Sequence, residues 1–197
     1  RLKTGNRLIA EAHPGDSMIQ IFPAEKRYIQ RMGWLDVYSV FSCNNYFDPW
    51  NTHFANLIAF NEYVMQPGFG FNMHPHEDIE QVFLVTEGQL SHADSLGNEG
   101  VLSPGGVQSI SAGSGYSRYA YNRSDSPCRY LAAWFTPNAL RLTPRYAGAL
   151  FPGGAHGEPV PLVSGSPELL RAFHEFPPLA ISSNATLYTL RLHASEY

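Results

Sequence analysis

Apolar and polar positions alternate along this chain in short stretches, which glycine and proline interrupt roughly every ten residues, the rhythm of an all-β barrel or sandwich. The alternation predicts strands over Leu57 to Tyr63, Gln81 to Thr86, Gln89 to Ala93, Gly106 to Ser111, Tyr116 to Asn122 and Tyr130 to Phe135. Most of these are rich in the β-branched and aromatic side chains that suit a pleated, half-buried surface. Pro67-Gly68, Glu87-Gly88, Pro104-Gly105-Gly106 and Gly113-Ser114-Gly115 supply the turns between them. Only Pro167 to Phe173 reads as a helix, with Ser166 as its cap and proline at a position where the missing N–H costs nothing. From about Thr143 the pattern loosens into the Gly/Pro-rich stretch Phe151 to Pro159, and a further apolar region follows near Leu187 to Leu192. Residues 1–140 are therefore expected to form a barrel with an N-terminal extension. Residues 141–197 are expected to form a linker and a partial second unit, which must pack on the first or on another chain.

Composition narrows the function classes. The chain has 197 residues, enough to bury a hydrophobic core without disulfide staples. Cys43 and Cys128 lie far apart in no metal-type spacing, and they read as two free thiols of a reducing compartment. A net charge of −4, with 15% charged residues and no run of Lys or Arg, lacks the basic stripe that nucleic acid requires. No apolar run approaches the ~20 residues of a membrane span, and the opening Arg1 to Asn6 lacks the apolar centre of a signal peptide. These features give the expectation of a soluble, cytoplasmic protein whose partner is a small-molecule ligand, with no nucleic acid and no membrane. The incomplete second unit leaves the oligomeric state open and points to pairing as a homodimer.

His74-Pro75-His76 carries the most chemistry. Side chains two apart on a strand share a face, so both imidazoles can converge on one point inside a barrel, and Pro75 stiffens the segment that holds them. By spacing alone such a pair is as well explained by a half-buried surface position.

The blocks around this pair, taken in order, change that balance. Trp34-Leu-Asp36, Asn45-Tyr-Phe-Asp-Pro49, His74-Pro-His-Glu-Asp-Ile-Glu80, Glu87-Gly88, His92-Ala-Asp-Ser-Leu-Gly-Asn98, Pro104-Gly-Gly-Val-Gln108, Ala112-Gly-Ser-Gly115 and Thr143-Pro-Arg-Tyr146 resemble the motifs of the pirin branch of the cupin superfamily, in pirin order. The resemblance runs from about Met32 to Tyr146. It implies a jelly-roll cupin barrel of the pirin type followed by part of a second barrel. It also implies a site of three His and one Glu that holds iron or another divalent metal, used by some members to dioxygenate quercetin-like flavonols. His74 and His76 stand at the first two ligand positions, and the family's second pair of ligands falls on Arg118 and Ala120.

That departure weighs against a metal. An imidazole and a carboxylate have become a cation and a methyl group. A guanidinium ~4 Å from a divalent ion would be repelled by about 8 kcal/mol at an effective dielectric near 20. No cofactor is therefore preferred. The alternative is Fe or another divalent metal on His74, His76 and Glu80, or with Gln81, which lies in the register of the Glu ligand of ordinary cupins. The preferred reading is a metal-free enzyme of isomerase or cyclase type, whose pocket takes an oxygenated aromatic or polyketide-like molecule. Two imidazoles supply acid/base chemistry and a fixed guanidinium holds an oxyanion, so His74, His76 and Arg118 are the candidate catalytic residues. Glu80, Gln81, Phe71, Met73 and Ala120 are the candidate substrate contacts, with Ala120 enlarging the cavity. His92 and Asp94 are expected to fix a strand end and turn rather than form the site. Tyr119 and Tyr121 are expected to face away from it. The competing readings are an iron-dependent flavonol dioxygenase, a non-catalytic regulatory binding protein, and an inactive barrel in which Arg118 pairs with Glu80.

Overall fold

The computed structural model describes residues 22–43, 45–151, 157–174 and 176–191. The expectations placed on Arg1 to Asn6, on residues 152–156 of the Gly/Pro-rich stretch and on Leu192 lie outside the described residues. The order is β1 (Tyr28–Arg31), β2 (Leu35–Ser39), β3 (Leu57–Met65), β4 (Gly70–His76), β5 (Glu80–Glu87), β6 (Leu90–Asp94), β7 (Glu99–Leu102), β8 (Gly106–Ser111), β9 (Tyr116–Tyr121), β10 (Cys128–Phe135), β11 (Arg145–Leu150), β12 (Val160–Ser164), α1 (Pro167–Ala172), β13 (Leu179–Ala180) and β14 (Thr186–Thr189). All six strands expected from alternation are present. The remaining ones are short, lie at edges, or belong to segments where Gly and Pro break the period. Helix α1 begins as expected, with the Ser166 hydroxyl accepting from the Leu169 N–H. Cys43 and Cys128 are free thiols. No described helix is long and apolar enough to cross a membrane.

Strands β1-β2-β3-β10-β5-β8-β11 form one sheet, β4-β9-β6-β7 a second and β13-β12-β14 a third. The first two face each other across a core built from Leu35, Met65, Phe83, Leu90, Ile110, Tyr116, Cys128 and Tyr130, contributed by both sheets. The other face of the same long sheet packs on the third, through Val82, Val107, Ala133 and Phe135 against Phe151, Leu162, Val163 and Ile181. Strands β5, β8 and β10 are thus covered on both faces, which is why all six residues of β8, its polar ones included, are buried. β11 lies beyond the expected boundary at residue 140, yet pairs along its length with β8, from Arg145 opposite Ser111 to Leu150 opposite Gly106. The separate C-terminal unit therefore begins, as a structural element, only at β12.

Successive residues of β5 face opposite ways, which decides the position of Glu80. Glu80 is 1% exposed, and its carboxylate accepts from the Ser111 hydroxyl at 2.6 Å and from the Ser182 backbone N–H at 2.9 Å. It clamps β5 to the C-terminal unit and points away from the barrel interior. A second clamp joins β3 to β10 and to the segment before β1. The Glu62 carboxylate on β3 takes Arg27 at 2.5 Å on one oxygen and Arg129 of β10 on the other. Burial alone would raise the Glu62 pKa, but the two guanidinium hydrogen bonds outweigh it and hold the carboxyl below its ordinary 4.5. At the start of β9, Gly113 has φ of +47°, and a Cβ there would collide with the Leu142 carbonyl oxygen, so only glycine fits the turn that launches the strand.

Two stability predictions arise from these clamps. Glu80→Ala leaves the Ser182 N–H and Ser111 hydroxyl without their acceptor, and urea unfolding is expected to show a loss of about 1–3 kcal/mol. Glu62→Gln is expected to cost about 1–3 kcal/mol near pH 7. Because the folded carboxyl pKa is depressed, the wild-type advantage is full above the unfolded value and fades as pH falls through the folded one. The gap between wild type and Glu62→Gln should then narrow as pH falls below the ordinary 4.5, as followed by denaturant midpoints across the acid range.

Candidate functional site

Alternation on β9 turns Tyr116, Arg118 and Ala120 inward and leaves Ser117, Tyr119 and Tyr121 on the outer side. On the neighbouring β4, His76 lies opposite Tyr116 and His74 opposite Arg118. A register shift between Phe71 and His74 marks a β-bulge, and it changes the parity of the strand. Phe71 before the bulge and His74 and His76 after it therefore share the inner face. Phe71 and His74 have ring centroids 6.1 Å apart, and the two imidazoles are 4.7 Å apart. Met73 falls in the bulge and is 53% exposed, so it does not line the interior as its spacing from Phe71 suggested. Phe69 is likewise exposed, against Trp34 at the rim.

The two histidines have different surroundings. His74 Nδ1 lies 2.6 Å from the Asn72 carbonyl. A carbonyl only accepts, so Nδ1 carries the proton and Nε2 keeps a free lone pair in the neutral ring. His76 sits between Tyr116, whose ring centroid is 5.7 Å away, and Trp134, at 5.8 Å on the facing sheet. Gln81 is fully buried on the inner face of β5. Its Oε1 accepts from the Tyr116 hydroxyl in a short hydrogen bond, so its Nε2 is the group directed to His76 Nδ1, 3.5 Å away. His76 Nε2 then carries the ring proton. Burial, the neighbouring His74 and Arg118 push the His76 pKa down to about 4, so this ring is neutral through the physiological range.

Arg118 reaches the centre of the interior. It is 4% exposed, its guanidinium lies over the Phe83 ring at 3.9 Å, and its Nη2 donates to Gln108 Oε1 at 3.3 Å. Burial lowers its pKa, with the tyrosines and Asp94 acting the other way. Among the described residues no carboxylate forms an ion pair with it. Glu80 does not: it faces the opposite side of β5, which removes it from both the substrate contacts and the possible metal ligands and excludes an internal Arg118–Glu80 pair. Ala120 is buried on the inner face as expected. The described residues contain no group of three or more His, Cys, Asp or Glu side chains that could hold a metal ion.

Several interior polar residues are not reached by motif reading. Gln108, at an inward position of β8 beside Ile110, is 1% exposed, and its Nε2 has no hydrogen-bond partner. The Trp134 indole N–H is also buried without a partner. His92 is 4% exposed on the inner face of β6, 3.4 Å from the Tyr146 hydroxyl, with its pKa lowered by burial and by Arg118. It belongs to the interior rather than to the turn. Asp94 does fix the turn, accepting from the N–H groups of Leu96 and Asn98. A polar side chain at an inward position of an otherwise apolar strand was the available signal for Gln108 and His92.

Comparison with known proteins places this arrangement. The sequence profile of the family described as Pirin matches residues 23–135. The quercetin 2,3-dioxygenase of Escherichia coli is 38% identical over 130 residues, which is 66% of this chain and 56% of that protein. A pirin-like protein of Caulobacter vibrioides is 36% identical over 149 residues, covering 75% of this chain and 64% of its own length. The chain thus spans little more than half the length of these curated relatives. Among solved structures, the bacterial pirin YhhW of Escherichia coli in complex with nickel(II) superimposes with a TM-score of 0.74 at 32% identity, over 84% of this chain and 68% of that one. The profile covers more than half of the chain and the superposition agrees with it, and the chain belongs to the pirin family.

Proposed function

We propose that the barrel interior of this pirin-like cupin binds an oxygenated aromatic or polyketide-like small molecule and moves a proton on it without a metal, as an isomerase or cyclase does. The observation that carries this reading is Arg118, a guanidinium buried in the barrel with no carboxylate to pair with it. Its aromatic surroundings, Phe83, Tyr116 and Trp134, suit a flat ligand.

The chemistry divides among three side chains. His74, held in one tautomer by the Asn72 carbonyl, offers Nε2 as the base that removes a proton from a carbon next to a carbonyl. The C–H electron pair passes into the enolate, whose oxygen is held by the Arg118 guanidinium in surroundings where water screens little. His76, neutral and held at Nδ1 by Gln81, donates Nε2–H to a substrate oxygen. Where a β,γ double bond extends the enolate into a dienolate, the proton on His74 returns at the γ-carbon as the double bond moves into conjugation with the carbonyl, so an isomerisation balances with no other reactant.

The metal that the family resemblance implies does not fit this donor set. His74 and His76 lie together, the inward His92 forms no three-residue group with them among the described residues, Glu80 is committed to Ser111 and Ser182, and the next inward positions carry a cation and a methyl group. The nickel(II) complex of the Escherichia coli pirin and the dioxygenase name of a relative support a second reading, an iron-dependent flavonol dioxygenase.

Protein in D2O with excess EDTA is expected to accelerate hydrogen–deuterium exchange at the methyl group of 2′-hydroxyacetophenone, read by proton NMR. His74→Ala should lower the enzyme-dependent rate by about 10²-fold or more. Exchange abolished by EDTA, together with about one metal ion per chain in elemental analysis, would favour the second reading. The His76 ring signals should titrate near pH 4, and Arg118→Gln should move that midpoint upward by removing a neighbouring positive charge. The unfolded ring takes its proton near 6.5 and the folded one only near 4. Acidification across that window should therefore lower stability, and less so in Arg118→Gln.

A further inference from the structure

We infer that Arg118 and Gln108 form a seat for a carboxylate, so that the molecule entering this barrel is an organic monoanion bound through Arg118 and the Gln108 amide N–H. The inference rests on the proposed role of the barrel interior and names the class of ligand that interior would take. The guanidinium is fixed by its position over the Phe83 ring and by one hydrogen bond, to Gln108 Oε1. That bond settles the Gln108 amide, because the reverse orientation would set an NH2 against a cation. The consequence is a donor, Gln108 Nε2, buried with no partner beside a cation that no described carboxylate pairs with, Asp94 acting on it only through space from β6. Two adjacent buried groups thus lack the same thing, an acceptor carrying negative charge. Water could satisfy the donors but would leave the charge uncompensated.

The number of charges selects the anion. Arg118 is the cation at this point, since the inward-facing His92 and His76 are both held toward their neutral forms. Asp94, opposite Arg118 on β6, is held by the Leu96 and Asn98 N–H groups of its own turn, so a carboxylate adds one negative charge to this surrounding and a phosphate dianion adds two. The planar guanidinium fork matches the two oxygens of a carboxylate, and the aromatic neighbours accommodate a ring attached to it.

Benzoate, benzamide and inorganic phosphate, titrated into the full chain by calorimetry with histidine NMR as a second readout, test the seat. Benzoate is expected to bind at least ~10-fold more tightly than benzamide or phosphate, and Gln108→Leu to weaken benzoate by about 10-fold. Gln108→Glu places a carboxylate of the protein itself against Arg118. It should abolish benzoate binding while raising the melting temperature of the free protein. The assignment is overturned if Gln108→Glu binds benzoate as wild type does, or if phosphate binds as tightly as benzoate. If benzamide equals benzoate and both shift the His74 or His76 signals, the seat is wrong and the barrel remains a ligand site. If no aromatic probe shifts either histidine, the barrel reading fails with it.

Discussion

A guanidinium held inside a β-barrel without an ion pair is the constraint around which the rest of this interior is arranged. Removing a cation from water costs several kcal/mol even after relaxation, and here the protein offsets it only in part. The Phe83 ring offers its negative face and the Gln108 carbonyl one lone pair. Neither supplies a formal negative charge, and Asp94, on the facing position of β6, acts on the guanidinium without forming an ion pair with it. The nearby histidines respond to the same field: Arg118 contributes to lowering both His76 and His92, which leaves a single positive charge at the centre rather than three.

The double-faced character of the central sheet explains how one sequence separates structural from chemical polar groups. On β5, Glu80 and Gln81 are neighbours in the chain, both fully buried, and belong to different layers. Gln81 joins Tyr116 to His76 inside the barrel, whereas Glu80 holds the C-terminal unit through Ser111 and the Ser182 backbone. Buried carboxylates normally mark function or pairing, and this one is satisfied by neutral donors at an interface between layers.

The bulge in β4 has a comparable effect. A regular strand would place Phe71, Met73 and Pro75 on one face and Asn72, His74 and His76 on the other. With the register shifted between Phe71 and His74, the aromatic and both imidazoles face the interior together, and Asn72 is left where its carbonyl fixes the tautomer of His74. One extra residue in the ladder therefore sets both the composition of the inner wall and the side of the imidazole that carries the lone pair.

Local pattern was sufficient for much of this. Alternation and turn residues determined six of the fourteen described strands and α1 with its Ser166 cap, because each depends on neighbours within a few residues. Alternation on β9 likewise placed Arg118 and Ala120 inward and the flanking tyrosines outward, and the His74-Pro75-His76 spacing placed two imidazoles on one face. What the sequence left undetermined depends on which sheet lies against which face. Glu80 was drawn toward the histidines by proximity in the chain, until the packing of a third sheet on the back of β5 gave it another partner. Met73 was drawn in by a period that the bulge interrupts. Gln108 and His92 become site residues only because β6, β8 and β9 bring them into the same interior as Arg118. Side-chain period is a property of the strand alone, whereas burial and charge compensation arise from contacts between strands far apart in the chain, and only the tertiary structure decides those.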